Sequence, residues 1–465
     1  MVNRLATQLN QVTRPPSGPA TPDIGTPATT VAPSRAGGAG APGQSLPPNP
    51  VPSPRFNSPA TLDSRRGNFV FGPGFELRTN GDEYIFQFHD LTQVDYRGYL
   101  QGGQTPVHDT FVLPRQWFMF SGRLSLPWGY FVSIANNIDT FAILDCFLDY
   151  DYDPRLRFRI GRSKTTFTYE FFVEPVQGLV IPERSIFFNN FALNRSIGLM
   201  AFGRLFKGKV DYAVGIYNSA RNSFIDVSGG KAIASFLNYR PFGDRQGTLL
   251  ENFNIGGSVF AANEHAPPVP QTFRTVVPTT GDAIVGVPFL ALNNNVVNSG
   301  PRAFWDLHAA WFWKQLEVIG EWGSGFEDYS LSNNLISRTH LPVQSFYVQT
   351  SYLLTGETRS SIGIVKPNKP FDVRKGRFGI GAIEPFFRYE YLDIGRQVFT
   401  SGLADQNEWA NRVGMTHVGV NWHLTQYIKF YFDWNHADFN QSVVYAPGRS
   451  KPFSDVFVVR FQIFF

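Results

Sequence analysis

The sequence predicts an all-β protein: one closed antiparallel transmembrane barrel of about 16 strands over residues 66–465, after a disordered Pro-rich arm over residues 1–65. Three observations predict it. Side chains alternate in character at period two almost without interruption from residue 69 onward. Aromatic residues make up 15% of the chain, with 45 Phe and 18 Tyr, against only 17% charged residues, so ring surface is abundant and must be placed somewhere. The chain closes on an alternating run that ends in Phe465.

The arm comes first. "RPPSGPATPDIGTPATTVAPSRAGGAGAPGQSLPPNPVPSP" buries too little apolar surface to offset the entropy of ordering, so an extended, disordered segment is expected. The first twelve residues, "MVNRLATQLNQV", lack the apolar core of a secretory signal; if the chain is exported, its signal is expected to lie outside this sequence.

From residue 69 the texture changes. Residues 74–79 and 84–88 flank Asn80, Gly81 and Asp82, a tight-hairpin signal because Asn and Gly tolerate positive φ. In "VDYAVGIYN", Val210, Tyr212, Val214 and Ile216 alternate with Asp211, Ala213, Gly215 and Tyr217. Trp305, Leu307, Ala309, Trp311 and Trp313 share one face, as do Val418, Val420, Trp422 and Leu424, and then Ile428, Phe430, Phe432 and Trp434. A set of β-sandwiches would show domain boundaries, and none is visible. No run approaches the roughly 20 apolar residues of a spanning helix, so strands are the expected spanning elements. Long loops are expected at 164–195, 263–302 and 396–412, and short turns at 152–154, 241–247 and 368–377. In "FVVRFQIFF", Phe457, Val459, Phe461, Ile463 and Phe465 form one apolar register against Val458, Arg460, Gln462 and Phe464. That ending resembles the terminal recognition strand of bacterial outer-membrane barrels, which makes Phe465 the expected assembly signal for the barrel assembly machinery.

The stretch "RLRFRIGR" shows what the two faces are for. Arg155, Arg157 and Arg159 share a face, while Leu156, Phe158 and Ile160 share the other. Placing those guanidiniums in lipid would cost about 2–4 kcal/mol each, so they are expected to line the lumen. Asp145, Asp149 and Asp151 fall in the same register on the preceding strand and form an acidic counter-wall. Arg162, Lys164, Arg184, Arg195 and Arg204 are expected in or around a constriction loop, where a narrow low-dielectric passage focuses their field. Arg388, Lys429 and Arg460 are further lumen-register cations, with a structural role expected for each. Cys146 falls in the outward register with Leu144 and Leu148.

Other chemistry has little footing. The net charge is +4, and no basic cluster follows a nucleic-acid-binding pattern. One cysteine allows no intrachain disulfide, and the eight histidines show no metal-ligand spacing. No nucleophile elbow or phosphate-cradling Gly-rich loop is present, so neither an enzyme nor a cofactor or metal is expected.

Several stretches, taken in order, resemble the phosphate-selective porin O and P family: "GFELRTNGDEYIFQFHDLTQVDYRGYL", "FRIGRSKTTFTYE", "PERSIFFNNFALNRSIGLMAFG", "YVQTSYLLTGETR", "GRFGIGAIEPFFRYEYLDI", "VGVNWHL" and "VFVVRFQIFF". They span residues 69–465. The resemblance implies a homotrimer of 16-stranded barrels, each narrowed by an inward-folded loop and lined by Arg and Lys that favour anions. The family commonly reads Lys-Thr-Pro-Phe-Gly after the glycine corresponding to Gly161, whereas here Lys164, Thr165, Thr166, Phe167 and Thr168 stand.

The expected function is therefore passive diffusion of small anions, with phosphate or polyphosphate as candidates, across the outer membrane of a Gram-negative-type bacterium. The arm is expected in the periplasm, and the barrel among lipids and a lipopolysaccharide-type outer leaflet. The alternatives are a weakly selective general porin, or a barrel anchor or adhesin without an open pore.

Overall fold

The computed structural model describes residues 68–71, 74–79, 81–100, 107–137, 140–222, 224–226, 229–277 and 285–465; the expected arm lies outside them. The chain opens with β1 (Asn68–Phe71) and β2 (Phe75–Arg78). There follow β3 (Ile85–Tyr99), β4 (Thr110–Ser125), β5 (Trp128–Asn137), β6 (Thr140–Asp153), β7 (Leu156–Lys164), β8 (Arg195–Leu205), β9 (Val210–Asn218), β10 (Lys231–Tyr239) and β11 (Asn254–Ala266). After the short pair β12 (Thr272–Arg274) and β13 (Pro288–Ala291) come β14 (Val296–Trp313), β15 (Leu316–Leu331), β16 (Asn334–Tyr352) and β17 (Ala382–Ile394). The last three are β18 (Arg412–His423), β19 (Ile428–Ala446) and β20 (Arg449–Phe464).

Strands β3 to β11 and β14 to β20 each pair antiparallel with the next, and β20 pairs back onto β3 from Val456↔Tyr99 to Phe464↔Leu91, closing a barrel of sixteen strands. Closure leaves no barrel strand with an unpaired edge to satisfy. The β1–β2 hairpin extends this sheet beside the first residues of β3. Backbone bonds from Asp90 N to Phe465 O (3.0 Å) and Phe465 N to Asp90 O (3.2 Å) seal the seam at the last residue.

Alternation decides which face each strand shows. On β20, Val456, Val458, Arg460, Gln462 and Phe464 are buried inward, and Phe457 is exposed on the other register. On β7, Phe158 and Ile160 are 46% and 55% exposed while Arg159 is buried. On β14, Trp305 and Leu307 face out, and Phe304, Asp306 and His308 face in. The outer surface is thus a band of exposed apolar side chains, which water would penalise and lipid accepts. No helix among the described residues is long and apolar enough to cross a membrane; the crossing elements are strands.

Both ends of the barrel chain lie at one rim, here called the near end. Loops 165–194, 267–295 and 395–411 leave the far end, as expected from the sequence. The expected short turn at 368–377 is different. It is the outer part of a long near-end segment, residues 353–381, that folds back on itself through an Asp372↔Gly379 bridge. Inside the far half, Phe167, Phe171, Ile186 and Phe188 of the first long loop pack with Phe273, Phe289 and Leu290 of the second and Val398 and Leu403 of the third. The lumen therefore has an apolar core built by loops.

Candidate functional site

The site is built around loop 165–194, which carries two short helices, α1 (Tyr169–Phe172) and α2 (Ile186–Phe191). Ser185 caps α2 by accepting from Phe188 N at 3.2 Å. Between the helices the chain crosses the lumen with its carbonyls turned to the wall. Gln462 Nε2 donates to Gln177 O (3.0 Å), Lys429 Nζ to Leu179 O (2.7 Å) and Asn421 Nδ2 to Val180 O (2.9 Å), while Arg460 Nη1 donates to Pro182 O. These are the inward polar positions of β18, β19 and β20, so period-two alternation on the wall creates the donors that hold the loop.

At the end of that crossing lies Glu183, with three guanidiniums converging on its carboxylate. Arg97 Nη2 reaches Oε1 at 3.1 Å, Arg115 Nη2 reaches Oε2 at 2.6 Å, and Arg460 Nη2 also donates to Oε1. Asp95 on the wall takes Arg460 at 2.6 and 2.8 Å and Arg97 at 3.2 and 3.1 Å, and Gln93 Oε1 accepts from Arg115 at 2.8 Å. Arg97, Arg115 and Arg460 are fully buried. Burial pushes the Glu183 carboxyl up, but Arg115, Arg460 and Arg97 outweigh it and hold the group down at about 2. Three guanidiniums thus face two carboxylates in a buried, hydrogen-bonded cluster that cradles the Glu183 carboxylate.

The other side of the loop meets carboxylates. Glu321 accepts from Tyr169 N at 2.6 Å, from Tyr347 Oη at 2.8 Å and from Glu170 N at 3.3 Å. Glu390 accepts from Ile186 N at 2.7 Å. Glu174 is buried, and burial together with the Glu317 and Glu170 carboxylates raises its pKa well above the usual range. The void beside Glu170, Glu321 and Tyr347 measures about 10 Å³, room for one water. Thr168, standing where the family pattern has Gly, takes φ 61°, a left-handed conformation that a β-branched residue resists.

From the near end, segment 353–381 meets the same loop. Arg359 Nη2 binds Glu384 at 2.5 Å and Nη1 binds Glu317, and its backbone N donates to Lys314 O at 2.9 Å. Ile362 packs in the cluster of Val180 and Ile181, and a Cβ on Gly178 would stand 2.9 Å from Gly363 Cα. Such an approach requires glycine on the loop.

The sequence-predicted residues divide into several groups. Arg159 pairs with Asp149 at 2.7 Å, Arg195 with Asp145 at 2.9 Å, and Arg157 stands 4.0 Å from Asp151, each across from one strand to another. Lys164 and Arg184 hold the loop's own backbone: Lys164 Nζ donates to Phe171 O at 2.8 Å, and Arg184 Nη2 to Glu174 O at 3.0 Å. Three positions differ from expectation. Arg155 precedes β7 and pairs with Asp153 in an exposed turn. Arg162 pairs across the ladder with Cys146 and Ile197 on the outward register, because β7 continues to Lys164 instead of leaving the wall; its guanidinium bonds Leu144 O at 3.0 Å and Asn222 O at 3.1 Å. Arg204 ends β8 at the opposite rim from the loop, 3.0 Å from Asp211. Sequence reasoning missed Arg97, Arg115 and the role of Glu183. The signal was present in "TQVDYRGY", where Gln93, Asp95 and Arg97 alternate as polar inward positions.

The chain is thus a closed sixteen-strand antiparallel barrel with an apolar exterior, a polar inner wall and an inserted loop. Residues 291–464 match the family phosphate-selective porin O and P. The fold is similar to an anion-selective porin from Comamonas acidovorans (TM-score 0.50, 10% identity, covering 82% of this chain and 100% of that one). It is likewise similar to OmpF of Salmonella typhi, solved in complex with daunomycin (TM-score 0.50, 10% identity, 86% and 100% covered). An uncharacterized protein of Caulobacter vibrioides is 26% identical over 126 residues, which are 26% of this chain and 23% of that protein.

Proposed function

We propose that this protein is an outer-membrane porin that passes small anions, phosphate among them, with the near end and the N-terminal arm facing the periplasm. One observation carries the reading: Arg97, Arg115 and Arg460 converge inside the lumen with one guanidinium more than the Asp95 and Glu183 carboxylates balance. Fixed planar donors with a net positive field favour oxyanions over cations. The protein acts as a channel without chemistry of its own, assembles as a homotrimer beneath a lipopolysaccharide-type leaflet, and presents Phe465 to the assembly machinery. The test is the reversal potential of the purified protein in a planar bilayer across a KCl gradient: the chloride side must dominate, and a potassium-selective reversal contradicts the reading.

A second reading has its own observation. Loop residues fill the far half of the lumen, and Arg359 and Ile362 occupy the near mouth, which is what a barrel anchor without steady conductance requires. Absence of any single-channel step in the same bilayer would favour it.

A further inference from the structure

We infer that the Arg97, Arg115 and Arg460 cradle is a binding site for small carboxylate anions, held in this structure by a resident carboxylate of the protein itself, Glu183. The inference rests on the channel reading for its purpose but not for its geometry. The occupant shows the class of ligand. One oxygen of Glu183 takes Arg97 at 3.1 Å and Arg460, and the other takes Arg115 at 2.6 Å, so the cradle is fitted to a planar group with two oxygens. What supplies that group is a loop, not the wall. Asp95, on β3 itself, already pairs with Arg97 and Arg460, while Glu183 arrives from the far-end loop between Pro182 and Ser185. A free carboxylate therefore competes with Glu183 for donors that stay fixed in the wall.

The exchange has a consequence for passage. The carbonyl of Pro182 is held by Arg460, and that of Glu183 faces Arg388 at 3.5 Å, so releasing Glu183 loosens the same crossing that spans the lumen. A carboxylate entering the cradle thus both binds and unseats the obstruction beside it, and selection and opening become one event.

The test is chemical rescue. Purified Glu183→Ala in detergent is heated at pH 7 in acetate, phosphate or chloride of equal ionic strength, with unfolding followed by circular dichroism and wild type as control. Acetate should raise the midpoint of Glu183→Ala above that in chloride and phosphate, and wild type should show no such preference. A midpoint in acetate no higher than in chloride, or a larger rise in phosphate, overturns the inference. If Glu183→Ala does not assemble, Glu183→Gln is used in a bilayer. There acetate, with no resident carboxylate to displace, should change the chloride current at a roughly tenfold lower concentration than in wild type, the weight of one charge-assisted contact, and an effect at equal concentrations overturns the inference. Rescue by acetate in a barrel that conducts no anions would leave the site standing and remove the channel reading alone.

Discussion

The arginines of β7 and those of β3, β4 and β20 look alike in sequence, but their counter-ions come from different places. On β7, Arg159 takes Asp149 of the adjacent strand β6, and Arg195 at the start of β8 takes Asp145, also of β6. Those pairs are made within the wall and persist whatever the loop does. Arg97, Arg115 and Arg460 instead share a carboxylate from a crossing loop, which apolar packing and hydrogen bonds to wall side chains also hold. A ladder neutralised by its own wall tiles the barrel. A cradle neutralised by a separable element can change state, and that is where selectivity and gating are placed by this comparison.

Breaking the movable partner should have the largest effect. Removing one side of a buried ion-pair cluster costs about 3–5 kcal/mol, so Glu183→Ala should loosen the loop toward the upper end of that range, read as faster hydrogen exchange over residues 177–183. Asp149→Asn, the matching change on the ladder, should leave exchange in those residues unaltered. Arg359→Met should come next. It strands Glu317 and Glu384 and should release segment 353–381 by about 3 kcal/mol, seen as faster trypsin cleavage at Arg374, Lys375 and Arg377. Thr168→Gly should relieve the φ 61° strain and stabilise the loop by about 1 kcal/mol in the same exchange experiment.

Acidity sharpens the comparison least. Glu183 is held down at about 2 in the folded state, against about 4.3 when unfolded. A depressed carboxyl contributes stability that is fully present above the unfolded value and lost as pH falls through the folded one. The stability difference between wild type and Glu183→Gln should therefore stay constant from pH 8 to pH 5, and shrink only between about pH 4.3 and pH 2.

Much of this barrel could be read from side-chain alternation, because a wall between lipid and polar interior must repeat at period two. Phe158 and Ile160 face out and Arg159 faces in for that reason, while Arg162 stands in the other register from Arg159, its buried side chain bonded to Leu144 O and Asn222 O. Strand number and the three long far-end loops followed from length and turn chemistry. The interior was less legible. Asn421 meets Val180, and Arg97 meets Glu183, through contacts between segments far apart in the chain, which no local pattern encodes. Segment 353–381 was read only at its outer turn, since Asp372 and Gly379 carry a turn signal whereas Arg359 inside the barrel mouth does not. Thr168 sat at a departure from the family pattern, and its positive φ is the structural counterpart of that departure.

The central claim is that the cradle, not the ladder, sets ion preference, and one measurement addresses it: the chloride-to-potassium permeability ratio, from reversal potentials in a KCl gradient, of Arg115→Gln against Arg159→Gln. Both replacements keep a polar side chain of similar reach in the lumen. Removing Arg115 should lower the ratio several-fold, because it subtracts from the cradle's excess charge beside the crossing, whereas Arg159 pairs with Asp149 within the wall apart from that crossing and its removal should produce the smaller change. A ratio that falls more for Arg159→Gln than for Arg115→Gln would contradict the account.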